Sequence, residues 1–282
     1  MLYFLIVNYQ SYTLVERLVA QIMDSEAPTH QMIIVNNFPP EKSAVKQLES
    51  NRVKVIEAGE NLGFGKGCNL GLNWAYQQHP HGWVWLINPD TFIDPKMIAN
   101  ALFFLHRHPQ LSIVGTLIYA TDQTVWFGGG VFNSLQGQII AKNLFACASE
   151  SSYLLCDWVS GCSMIINLSH FQSCPLFNSD YFLYYEDFEF CQRYRQQGHL
   201  VAVTQEISIV HQVSTITNRN LKSKFYHSTY SYLLTLEKYT NQRVFLRRLL
   251  RLLVYALILL PIKPAIALGK ITGTWYYFKQ KL

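Results

Sequence analysis

The sequence predicts an α/β chain: a mainly parallel central sheet flanked by helices, followed by a C-terminal helical, amphipathic extension. Three observations carry this. Short apolar runs alternate with stretches of helical periodicity from residue 2 to residue 87, the rhythm of parallel strands covered on both faces. Polar residues gather directly after the apolar runs, at Asn8, Asn36 and Asp90, where open α/β sheets bind their ligands. From about residue 221 the chain turns helical, then strongly apolar and basic.

Residues 2–7 are rich in branched and aromatic types and predict a strand buried on both faces. Leu14, Leu18, Val19 and Ile22 place a helix over 14–23. Met32 to Val35 and Val53 to Ile56 predict further strands, and the glycine-rich stretch 61–71 leads into a helix ending near His79-Pro80. Trp83 to Ile87 is a fourth strand, stopped by Asn88-Pro89-Asp90. Beyond it, strands are expected at 113–118, at Trp158 to Ile166 (interrupted by Gly161) and at Ile207 to Val210. The segment Tyr181 to Glu189 opens a helix that Gly198 closes.

Of 282 residues, 50% are hydrophobic and 14% aromatic, ample for a large core and wrong for a disordered chain. The net charge is +5, and the basic residues Arg243, Arg247, Arg248, Arg251, Lys263, Lys270, Lys279 and Lys281 follow the last acid, Glu237. A nucleic-acid binder spreads such residues over one face of its fold; here the asymmetry points to an anionic surface met by the C-terminus, and no nucleic-acid partner is expected. The apolar stretch 252–262 is short of the roughly 20 residues of a membrane span, and Trp275, Tyr276, Tyr277 and Phe278 are interface-type aromatics. An in-plane anchor is expected; packing on the rest of the chain, or a homodimer, is the rival for that face. The six cysteines form no C-x-x-C pair and read as core residues in a reducing, cytoplasmic setting. The N-terminus lacks the basic region of a signal peptide.

Four constellations carry chemistry. Asp90, directly after a strand, can hold a hard cation and through it a diphosphate, or can make a plain turn. The glycines of 61–71 match neither a P-loop nor a dinucleotide fingerprint, leaving a phosphate-cradling backbone or a tight turn. Glu186, Asp187 and Glu189 stand among Tyr184, Tyr185, Phe188 and Phe190; aromatic neighbours raise a carboxylate pKa, as suits a general base. Glu189 instead complements the helix dipole and pairs with Arg193, leaving Asp187 for chemistry. His211 ends a strand, as Asp90 nearly does, and is either a structural histidine or a metal ligand.

Read together, the segments Ile6-Val-Asn-Tyr-Gln-Ser11, Ile33-Ile-Val-Asn-Asn37, Asn61-Leu-Gly-Phe-Gly65 with Asn69, Asn88-Pro-Asp-Thr91, Val159-Ser-Gly-Cys162, Phe182-Leu-Tyr-Tyr-Glu-Asp187 with Arg193 and Gly198, and His211 resemble family 2 glycosyltransferases, particularly their rhamnosyltransferase-like branch. The resemblance implies a GT-A (nucleotide-diphospho-sugar transferase) fold: a catalytic domain over 1–220, its nucleotide-sugar half 1–100 and acceptor half 101–220, with residues 221–282 as a membrane-associating extension. It implies an inverting transferase moving rhamnose or a similar sugar from a dTDP- or UDP-linked donor to a saccharide or polyprenyl-diphosphate-linked acceptor, in cell-surface polysaccharide synthesis at the inner face of the cell membrane. By that correspondence Asn8, Tyr9, Asn36, Asn61, Gly63, Phe64, Asn69 and Asp90 serve the nucleotide. Asp90 and His211 hold Mg²⁺ or Mn²⁺, Asp187 beside Glu186 is the base, and Asp157, Trp158 and Gly161 meet the acceptor. Asn36 stands where the family usually has Asp, which changes its donor and acceptor options toward a base. A sugar nucleotidyltransferase would need a basic glycine-rich motif where the chain has Asn8-Tyr-Gln-Ser11, and a non-catalytic membrane scaffold would have lost its acids.

Overall fold

The computed structural model describes residues 1–27, 30–147, 151–212 and 220–281. Strand β1 (Leu2–Asn8) is buried at every position, as an apolar run in the middle of a covered sheet must be. Helix α1 (Tyr12–Met23) turns Val15, Leu18, Val19 and Ile22 inward, one apolar stripe at helical spacing. Strand β2 (His30–Asn36) follows, then the short α2 (Lys42–Lys46), β3 (Val53–Glu57), α3 (Phe64–Gln78) and β4 (Trp83–Ile87). β1 pairs in parallel with β2 on one side and β4 on the other, and β2 with β3. In this register Asn8 sits opposite Asn36 and Asn36 opposite Glu57, so three polar residues end one row.

Helix α3 lies close on β1 because it is cut back to glycine there. A Cβ on Gly71 would come 2.1 Å from Leu5 Cδ1, and one on Gly67 3.0 Å from Val7 Cγ1. Two glycines of the 61–71 stretch thus serve helix–sheet packing.

The second half adds β5 (Thr91–Phe92), α4 (Lys96–Arg107), β6 (Ile113–Ala120), β7 (Val125–Phe127), the hairpin β8 (Gly130–Asn133) and β9 (Gln138–Ala141), β10 (Tyr153–Leu155), β11 (Ser163–Asn167), α5 (Glu186–Gln196) and β12 (Val201–His211). The main sheet runs β10-β12-β6-β11-β4-β1-β2-β3. Along it β12, β6, β4, β1, β2 and β3 share one direction, and β11 runs against its neighbours β4 and β6. The mainly parallel α/β sheet expected from the sequence is present.

Three boundaries differ from expectation. The strand read over Trp158–Ile166 begins only at Ser163, because Gly161 donates its N–H to the Asp187 carboxylate instead of a ladder partner. The helix read from Tyr181 begins at Glu186, since Tyr184 and Tyr185 hold left-handed φ of +69° and +64°. The strand read at Ile207–Val210 reaches back to Val201, with a register shift between Thr204 and Ser208; the polar Thr204-Gln205-Glu206 breaks the apolar run there. Gly198, with φ +93°, closes α5 as expected.

The C-terminus is three helices: α6 (Leu221–Tyr239), α7 (Gln242–Leu259) and α8 (Pro264–Lys279). Helix α8 approaches α6 through Gly269 and Gly273, where a Cβ would come 2.6 Å from Lys222 O and 2.5 Å from Tyr226 O. Helix α6 is tied to the sheet domain through α5: the fully buried Glu189 accepts from Arg193 Nε at 3.0 Å and Lys238 Nζ at 2.5 Å. Among the described residues no helix is long and apolar enough to cross a membrane. The expected boundary at residue 220 adjoins 213–219, which lie outside the described residues.

Candidate active site

A cleft of about 470 Å³ opens at the carboxyl ends of β1 and β4, where the change of chain direction in such sheets leaves room for a ligand. Tyr9, Asn61, Gly63, Phe64 and Asp90 line it. Tyr9 stands edge-on to Phe38 with ring centroids 5.5 Å apart. Asn61 Oδ1 accepts from Gly63 N at 3.0 Å and Asn37 Nδ2 at 3.2 Å. Gly63 has φ +81°, and a Cβ there would sit 2.1 Å from Phe182 O. The N–H of Phe64 donates to that same carbonyl at 3.0 Å, which ties the start of α3 to the segment before α5.

Asn8, Asn36 and Asn69 stand behind the wall. Asn8 and Asn36 are fully buried. Asn8 Nδ2 donates to Asn36 Oδ1 at 2.9 Å and to Glu41 Oε2 at 2.8 Å, and Asn36 Nδ2 to Glu57 Oε2 at 3.0 Å. Asn69 exchanges two hydrogen bonds with the Phe177 backbone. These side chains hold the loops that make the cleft.

Asp90 and His211 come together because β5 and β12 pair antiparallel, with His211 opposite Thr91. Gln212 N donates to Asp90 O at 2.9 Å. His211 Nε2 lies 3.2 Å from Asp90 Oδ1, yet Asp90 Oδ1 and His211 Nδ1 are both buried without a hydrogen-bond partner. A buried polar atom left unpaired costs about 1–3 kcal/mol, so the pair fits a cation that would satisfy it. Among the described residues no group of three or more His, Cys, Asp or Glu gathers; a cation here would draw its other ligands from diphosphate oxygens and water, as Mg²⁺ commonly does. Trp126 packs edge-on against His211 at 4.8 Å.

Asp187 occupies the first turn of α5, where the helix dipole favours negative charge. Its Oδ2 accepts from Gly161 N at 2.9 Å and its Oδ1 from Phe188 N at 2.8 Å. Burial nevertheless raises its pKa above the ordinary carboxylate value. Gly161 is closely packed: a Cβ would be 3.0 Å from Phe64 Cε1 and 3.4 Å from Asp187 Cβ. Base candidate, cleft wall and the Gly161 loop thus meet at one point. Glu186 is buried, and burial first, with Asp187 second, pushes it up to about 8. Cys162, next to Gly161 in the chain, is raised well above the usual thiol value, by burial first and then by Asp90 and Asp187, so it stays a thiol.

Asp157 and Trp158 are not among the residues that line the cleft. Asp157 pairs with Arg195 at 2.8 Å and accepts from Phe132 N at 2.7 Å. Trp158 packs on Phe127 at 5.0 Å. Conversely, Ser223, Lys224 and His227 of α6 line the cleft, with His227 stacked on Phe182 at 4.4 Å. Sequence reasoning assigned α6 to the extension; periodicity marked it as a helix and carried no signal that its start returns to the cleft.

The family model described as glycosyl transferase family 2 matches residues 3–159. The chain belongs to glycosyltransferase family 2. A curated relative of this family 2 glycosyltransferase, the low-salt glycan biosynthesis hexosyltransferase Agl10 of Haloferax volcanii, is 24% identical over 219 residues, 73% of this chain and 66% of the relative. The N-acetylglucosaminyl-diphospho-decaprenol L-rhamnosyltransferase of Mycobacterium tuberculosis is 24% identical over 251 residues, 80% of this chain and 82% of the relative. Among solved structures, the mannosyltransferase PcManGT of Pyrobaculum calidifontis, in complex with GDP-Man and Mn²⁺, superposes with a TM-score of 0.62 at 13% identity, covering 100% of this chain and 88% of that one. GalNAc-T7 with UDP, GalNAc and Mn²⁺ gives 0.59 at 13% identity over 83% of this chain, which spans half (50%) of that chain. The fold of this family 2 glycosyltransferase is GT-A.

Proposed function

We propose that this glycosyltransferase is an inverting hexosyltransferase that moves rhamnose or a similar sugar from a dTDP- or UDP-linked donor to a lipid-diphosphate-linked acceptor at a membrane surface, in cell-surface polysaccharide synthesis. The observation that carries it is the meeting of Asp187, Gly161 and Phe64 at the cleft, with Asp90 on the wall of the same cleft. The acceptor hydroxyl attacks the anomeric carbon as Asp187 takes its proton. The bond from that carbon to the donor diphosphate breaks, and the nucleoside diphosphate leaves from the opposite face, so one displacement inverts the configuration. Asp90 and His211 would hold Mg²⁺ or Mn²⁺, which when bound neutralises charge on the diphosphate. Gly161 N holds the Asp187 carboxylate in place, and burial raises its basicity. The activities of the relatives, hexosyl and rhamnosyl transfer, support the sugar class.

The test is calorimetric titration of UDP, dTDP and GDP with and without Mn²⁺, followed by turnover of Asp187→Asn. One nucleotide should bind in a metal-dependent way, and Asp90→Asn should weaken it. Asp187→Asn should keep that binding and lose about 10²–10⁴ in rate, the usual contribution of a general base. A folded protein that binds no nucleotide favours a scaffold. Near-normal turnover of Asp187→Asn passes the base role to Glu186.

A further inference from the structure

A second cavity, of about 400 Å³, lies among α6, α7 and α8 and is lined by Tyr185, Tyr232, Tyr255, Arg248, Arg251 and Lys270, with no carboxylate on its wall. Three cations from two helices converge there, and among the described residues no Asp or Glu pairs with any of them. The chain has no acid after Glu237, and Glu237 is taken by Lys281 at 2.5 Å. Arg248 and Lys270 are half-buried and Arg251 stands exposed at the rim; like charges gathered this way repel, and an anion among them relieves the repulsion. Arg248 is already oriented, its Nε donating to Gln136 O at 2.8 Å. Lys270 Nζ sits 5.1 Å from the Phe225 ring and 5.6 Å from that of Tyr255, and burial lowers its pKa.

The place of the cavity in the fold says which anion. Helix α6 separates it from the donor cleft: Lys224 and His227 face the cleft, Ser228 and Tyr232 the cavity. Tyr185, 5.6 Å from Tyr232 between ring centroids, caps α5 two residues before Asp187. On the outer side α7 exposes Leu250, Leu257 and Ile258, an apolar strip continuous with the rim residue Tyr255. A ligand spanning these features is anionic in the middle, apolar at one end, and reactive at the end nearest Asp187. Guanidinium forks suit phosphate oxygens.

We propose that the cavity formed by Arg248, Arg251, Lys270, Tyr185 and Tyr232 binds the diphosphate of a prenyl-diphosphate-linked acceptor, with the prenyl chain running out along α7. This rests on the glycosyl-transfer reading above and adds the acceptor's binding site to it. The probes are inorganic pyrophosphate and farnesyl diphosphate, titrated calorimetrically with a chelator present so that the donor cleft cannot hold them through a cation. Both should bind the wild type. Arg251→Gln and Lys270→Gln should each weaken binding about tenfold or more, Lys270→Arg should largely restore it, and Asp90→Asn should leave it unchanged. Intact Mn²⁺-dependent nucleotide binding by the variants shows that they are folded. Wild-type affinity in the Gln variants overturns the proposal. So does a loss seen only with phosphatidylglycerol vesicles and not with farnesyl diphosphate, which would make the cavity a headgroup site. If the wild type binds no nucleotide with Mn²⁺, the acceptor role falls with the glycosyl-transfer reading, and probe binding then marks an anion site alone.

Discussion

Glu186 and Asp187 are adjacent carboxylates with different surroundings. Asp187 receives two backbone N–H groups, whereas Glu186 is buried with its Oε2 unpartnered. Burial, then Asp187, raises Glu186 from 4.5 to about 8, so at neutral pH the folded chain holds a proton there that the unfolded chain has released. Wherever the folded state binds more protons, stability falls as pH rises. The contribution is therefore fully present below about pH 4.5 and lost as pH climbs through about 8. Glu186→Gln should flatten the fall of the thermal midpoint across that window, with its advantage over wild type largest at the alkaline end. Midpoints that run parallel to wild type would assign the pH dependence elsewhere. At this scale the sequence points to Asp90 and His211 from their places at strand ends and to Asp187 from its acidic, aromatic segment, and the fold sets Asp90 beside His211. It could not tell Asn8 and Asn36, which brace the cleft from behind, from the cleft wall itself, because being at a strand end does not say which way a side chain faces.

Elements meet closely where glycine allows it. At Gly273 a Cβ would stand 2.5 Å from Tyr226 O, and a backbone carbonyl cannot swing aside. Gly273→Val should force α8 away from α6 at about 1–3 kcal/mol, the usual cost of overpacking, lowering the thermal midpoint and exposing α8 to limited proteolysis. Unchanged stability and protease resistance would mean that α8 sits further from α6. The start of α5 is set by backbone conformation as well. Helical periodicity begins wherever aromatic and acidic residues alternate suitably, so Tyr181 looked like a helix start; the left-handed turn at Tyr184 and Tyr185 postpones it. Such residues cost about 1–3 kcal/mol each where they are held, and here they aim the first turn of α5, with Asp187, at Gly161.

At the scale of the molecule, one face of the C-terminal helices is apolar and open. Leu250 and Leu257 are each 64% exposed and Trp275 62%, with arginines alongside on α7. We expect this face to bind anionic vesicles in a salt-sensitive way, since anionic lipid attracts each Lys or Arg with about 1 kcal/mol. Leu250→Glu combined with Leu257→Glu should release the protein into the supernatant on sedimentation. If instead the wild type ignores vesicles and elutes as a dimer that the double variant splits, the face belongs to a second copy.

Much of this protein was determined by its sequence alone: the α/β class, the order of the first four strands along the chain, the ending of α5 at Gly198, and the polar residues that follow the strands. These follow from local periods and from polar residues at strand ends, which a chain carries in linear order. Only the tertiary structure decided that β11 runs against its neighbours, that α6 returns to complete the cleft with Lys224 and His227, and that Arg248, Arg251 and Lys270 converge on Tyr185. Those are matters of direction and long-range approach, set by which faces bury against which, and no local period in the sequence records them.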